Sequence, residues 1–63
     1  MKRGDLVKRL RQTAKAKGLE LETVREGANH TLYRIGSKQF PVPRHREINE
    51  MTAQGILKQA EEG

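Results

Sequence analysis

Cysteine is absent from this 63-residue chain, so neither a disulfide nor a thiolate metal site can staple it. Tryptophan is absent too, and phenylalanine and tyrosine occur once each. The core must therefore be thin, and domains of this size are marginal unless a staple or a partner supports them. The two histidines and the scattered carboxylates show no metal-ligand spacing, which argues against a structural zinc and gives no reason to expect a cofactor. No apolar run approaches the roughly 20 residues that a membrane span needs. The opening "MKRGDLVKRLRQ" has no apolar stretch of the signal-peptide kind. These absences point to a soluble, cytoplasmic protein with no membrane partner, and residues 1–63 read as one domain.

What the chain has in excess is positive charge: 13 Lys and Arg against 8 Asp and Glu, a net charge of +5. Such an excess in a short chain suits a polyanionic partner, either nucleic acid or an acidic protein. A basic surface that only keeps the domain soluble is the alternative that charge alone leaves open.

Hydrophobic spacing predicts five elements. Residues 5–17, "DLVKRLRQTAKAK", place Leu6, Leu10 and Ala14 on one helical stripe, with Val7 widening it. Asp5 suits the N-cap and Gly18 the stop. Residues 19–26, "LELETVRE", switch to period two, and "GAN" at 27–29 signals a turn. Residues 30–35 and 38–42 read as two further strands joined by a two-residue Gly36-Ser37 loop. Pro41 and Pro43 put the third strand at a sheet edge or end it. A last helix runs from Asn49, a good N-cap with Ile48 behind it as a staple, to about Glu61. Its buried stripe is Ala53, Ile56, Leu57 and Ala60. Gly55, unfavourable in mid-helix, is expected to mark close backbone packing.

Register then orients the side chains. A two-residue loop at 36–37 pairs Tyr33 with Phe40, Ile35 with Lys38 and Thr31 with Val42, and cross-strand partners share a face. The bulky apolar set of Tyr33, Ile35, Phe40 and Val42 must meet the helices. His30, Leu32, Arg34 and Gln39 fall on the opposite face. A three-residue turn at 27–29 sets Glu26 opposite His30 and Val24 opposite Leu32, with Arg25 and Lys38 toward the helices. The expected fold is α+β, in the order α-β-β-β-α: a three-stranded antiparallel sheet with both helices on one face. His30 then stands on the uncovered face beside a carboxylate and near Arg34. Imidazole is the side chain poised near neutral pH, although an exposed strand histidine is often only a polar surface residue.

The run "REGANHTLYRIG…FPVPRHREINEMTAQGILKQA", after a basic helix opening "GDLVKRL", resembles the HicA family of type II toxin–antitoxin toxins, in its short single-domain form. The likeness covers nearly the whole chain. It rests on a glycine-turn-histidine before an alternating strand, the "VPRH" exit and "ILKQA" in the final helix. The resemblance implies a double-stranded-RNA-binding-like fold, a metal-independent mRNA-cleaving activity with His30 as the catalytic histidine, and inhibition by a HicB-like antitoxin. DNA would be reached only through that antitoxin. Where many members carry Gly-Ser-His, this chain has Ala28-Asn29-His30-Thr31.

Chemistry of that kind needs little apparatus. A base that removes the proton from a ribose 2′-OH lets the oxygen attack the adjacent phosphate, and general base catalysis supplies roughly 10²–10⁴-fold. Arg34 is the first candidate to meet the developing phosphorane charge, with Arg25 and Lys38 weaker ones. Glu26 either orients the imidazole or forms an ion pair without a catalytic part. His45 either protonates the leaving oxygen or contacts a phosphate. Lys8, Arg9, Arg11 and Lys15 on the first helix, with Arg44 and Arg46 after the third strand, are the expected RNA contacts. With few aromatics to stack bases, weak sequence discrimination is expected. A non-catalytic RNA-binding module of the same fold, or an interaction subunit without activity, are the competing possibilities.

Overall fold

The computed structural model describes residues 1–62. The elements follow as α1 (Arg3–Ala16), β1 (Leu21–Glu26), β2 (His30–Ile35), β3 (Lys38–Pro43) and α2 (Glu50–Glu62). The strands form one antiparallel sheet in the order β1-β2-β3. The fold is α+β, with the expected α-β-β-β-α order. Both helices cover one face, α1 against β1 and α2 against β3.

Apolar bulk decides which face is covered. Ile35, Phe40 and Val42 are fully buried and Tyr33 nearly so, against Leu6, Leu10 and Ala14 of α1 and Ala53, Ile56, Leu57 and Ala60 of α2. A fully buried side chain of this class stabilises the fold by roughly 1.5–3 kcal/mol. Thr31 is the one buried polar residue among the described residues, and its Oγ1 accepts a hydrogen bond from Arg3 Nη2 at 3.0 Å. Arg3 Nε also donates to the Pro43 carbonyl (3.0 Å), so one guanidinium joins the start of α1 to the ends of β2 and β3.

Local signals close most of the elements. The Gly18 N–H donates to Lys15 O (2.9 Å) and the Leu19 N–H to Ala14 O (2.9 Å). That is the paired bonding of a Schellman stop, with Gly18 at φ +73°. Lys17 Nζ donates to the Ala60 and Glu61 carbonyls, satisfying the C-terminal end of α2. Asn49 caps α2 as expected, its Oδ1 accepting from the Met51 N–H at 2.8 Å, and Ile48 behind it is buried. Gly36, at φ +61°, is the only positive-φ residue of the β2–β3 loop, the pattern of a type II′ hairpin. A Cβ there would also approach Leu19 Cδ1 to 3.2 Å.

Two expectations need correction. α1 begins at Arg3 and not at Asp5, with no side-chain cap. Tertiary bonds set its start: the Arg3 N–H donates to Arg46 O (2.8 Å) and the Ile48 N–H to Met1 O (2.7 Å). The β1–β2 register also breaks. It begins as expected, with Leu21 opposite Ile35, Glu22 opposite Arg34 and Thr23 opposite Tyr33. A bulge at Val24 then sets Arg25 opposite Leu32 and Glu26 opposite Thr31. The β2–β3 ladder is unbroken from His30–Pro43 to Ile35–Lys38, as the loop length requires.

Candidate functional site

Alternation along β2 leaves His30, Leu32 and Arg34 on the uncovered face, beside Gln39, Pro41 and Pro43 of β3. His30 is exposed, and its ring has no hydrogen-bond partner among the described residues. Its backbone is held firmly. The Gly27 N–H donates to the His30 carbonyl at 2.8 Å, and a Cβ on Gly27 would come within 3.2 Å of that same oxygen. Arg44 grips the other side of the turn: its N–H donates to Asn29 O (3.1 Å) and its Nη1 to Gly27 O (3.0 Å). The imidazole therefore projects freely from a fixed point.

Arg34 lies on the same face four residues along, about 13 Å away at strand spacing. Its Nη2 donates to Glu22 Oε1 at 2.8 Å, so much of its charge is answered across the strands. Its Nε is buried with no hydrogen-bond partner. The pair is more than a third exposed on both sides, and such a bridge contributes at most about 1 kcal/mol.

The bulge changes the rest of the expected constellation. Glu26 is not across from His30; it faces Thr31, whose side chain points toward the helices, and no ion pair joins Glu26 to the histidine. Arg25, expected on the helix side, is instead on the open face opposite Leu32. There it lines a groove with Gly27, Asn29, His30, Leu32 and Pro41. It is exposed and makes no hydrogen bond or ion pair with the described residues. Val24, the extra residue, is exposed and is not the cross-strand neighbour of Leu32.

A second groove touches His30 from the other side. It runs between the β3 edge and α2, lined by Pro41, Pro43, Thr52, Gly55, Ile56 and Gln59. Gly55 is exposed, and a Cβ placed on it meets nothing within 4 Å. The expectation of close backbone packing at Gly55 is therefore wrong.

The other candidates are spread out. His45 is exposed in the segment after β3 and lines neither groove. Arg46 is exposed there too, its carbonyl spent on the start of α1. Lys8, Arg9, Arg11 and Lys15 are exposed on α1, in the helix layer, on the far side of the sheet from His30. Arg11 and Lys15 line a separate groove with Leu19, Glu20 and Leu21. No group of three or more His, Cys, Asp or Glu gathers closely enough to hold a metal ion among the described residues. Among them, too, no helix is long and apolar enough to cross a membrane.

Sequence reasoning set Arg25 on the wrong face and missed Arg3. The bulge that aims Arg25 leaves no mark in the residue pattern, whereas the need of the buried Thr31 hydroxyl for a donor was a signal that could have found Arg3. Comparison of the chain with protein-family models, with curated proteins and with solved structures found no match.

Proposed function

We propose that the protein is an RNA-cleaving toxin of the HicA kind, with the double-stranded-RNA-binding-like variant of the α-β-β-β-α fold, acting in the cytoplasm as a metal-independent endoribonuclease on mRNA. The observation that carries this reading is the placement of His30: an exposed imidazole on the uncovered sheet face, rising from a turn clamped by Gly27 and Arg44. A long RNA can reach such a ring, and its ribose brings the nucleophile with it. His30 takes the 2′-OH proton, the 2′-oxygen bonds to phosphorus, and the bond from phosphorus to the 5′-oxygen breaks. The products are a 2′,3′-cyclic phosphate and a 5′-OH, the leaving oxygen drawing its proton from water. The net charge of +5 supplies salt-sensitive affinity for the phosphate backbone. Arg34, about 13 Å along the strand from His30 and paired with Glu22, is too distant to meet the reacting phosphate and serves the flanking RNA backbone instead. His45, outside both grooves, serves as a phosphate contact with Arg44 and Arg46. Inhibition falls to a HicB-like antitoxin, an acidic partner that covers the open face and the half-buried Leu32.

The test is incubation of labelled RNA with purified protein in EDTA, with His30→Ala alongside. Cleavage by the wild type and a loss of roughly 10²–10⁴-fold in the variant, at unchanged melting temperature, is the expected result. Equal cleavage by both removes His30 from the chemistry. A second reading, a non-catalytic RNA-binding module, draws on one observation: no side chain among the described residues orients the His30 ring. Salt-sensitive retention of intact RNA would select it.

A further inference from the structure

We propose that His30 stands at the crossing point of a single-stranded RNA track, with Arg25 holding a backbone phosphate in one groove and the adjacent nucleobase lying in the other, against Pro43 and Gly55. This rests on the proposed RNA-directed function and assigns the subsites that such a function needs.

The two grooves share only His30 and Pro41, and they differ in charge. The turn-side groove contains Arg25, a cation with no partner among the described residues, delivered to this face by the Val24 bulge. Bulges recur beside functional sites because they re-aim a side chain without disturbing the rest of the sheet. The α2-side groove contains no charged residue. A nucleotide divides in the same way: its phosphate is an anion, and its base is neutral and flat. With a ribose at His30, the anion belongs on the Arg25 side and the base on the uncharged side.

The second groove suits a base in its details. Pro41 and Pro43 offer flat apolar rings and no N–H, so this sheet edge is a poor template for a peptide strand. Gly55 breaks helix propensity with no internal packing to account for it, and such local conflicts concentrate at functional sites. Its missing side chain leaves bare helix surface that a planar ring can approach. Thr52 and Gln59, on the same face of α2, bring hydrogen-bonding groups to the edge of that ring. The track therefore gives a base preference at one position, where the near absence of aromatics had suggested little discrimination.

The experiment is titration of 2′-O-methylated single-stranded RNA, which cannot be cleaved by this route, at a series of salt concentrations. Wild type, Arg25→Gln and Gly55→Gln are compared, each checked by thermal unfolding. Arg25→Gln should weaken binding and flatten the dependence of log affinity on log salt by about 0.7, one phosphate contact on a single strand. Gly55→Gln should melt no lower than wild type, yet bind roughly five- to tenfold more weakly with the salt slope unchanged. Wild-type slope in Arg25→Gln, or wild-type affinity in Gly55→Gln, overturns the track. So does a wild type that binds no RNA. Parallel incubation with unmodified RNA separates this from the function itself. Cleavage with neither variant impaired leaves the nuclease standing and removes the track; the expected binding pattern without cleavage does the reverse.

Discussion

β2 gives alternate residues to two surfaces with opposite requirements. Thr31, Tyr33 and Ile35 are buried beneath the helices, while His30, Leu32 and Arg34 remain partly or wholly exposed. On the covered side the side chains are held by volume, and the buried Thr31 hydroxyl has a donor in Arg3. On the open side nothing is packed on the strands, so side chains there can be exchanged at little cost in stability. A small domain can thus keep its thin core on one face and leave the other free for chemistry.

Substitutions can break that contrast, beginning with the largest effect. Phe40→Ala should cost about 3–5 kcal/mol by denaturant unfolding, much of what a chain of this size has. A loss below about 1 kcal/mol would mean the covered face is not the core. Thr31→Val keeps the shape but removes the acceptor for Arg3 Nη2, and should cost about 1–2 kcal/mol in the same assay. Gly55→Ala should raise stability by about 1 kcal/mol, seen as a melting temperature higher by several degrees, because nothing stands where the methyl group would go. Glu22→Gln should change stability by less than about 1 kcal/mol, but release Arg34 and tighten RNA binding at low salt, measured by anisotropy.

The same contrast explains what could be read from the sequence. The β2–β3 register was legible because a two-residue loop and the bulk of Tyr33, Ile35, Phe40 and Val42 admit one pairing. The Gly18 stop and the Asn49 cap were legible because their signals are local. Beyond Leu21, every residue of β1 is exposed, so burial does not hold its register and the Val24 bulge left no trace in the pattern. His30 was placed correctly because its strand is anchored by core neighbours. Its surroundings, Arg25 in and Glu26 out, were misread because theirs is not. The start of α1 escaped for another reason: residues 46–48 determine it from the far end of the chain.

The central claim is that the imidazole of His30 activates a ribose hydroxyl, and end-group analysis of the RNA products tests it most directly. After incubation in EDTA, wild-type protein should leave 2′,3′-cyclic phosphate and 5′-hydroxyl ends, and His30→Ala should leave the RNA intact. Fragments ending in 5′-phosphate, or the same cyclic ends produced by the variant at the wild-type rate, would contradict it.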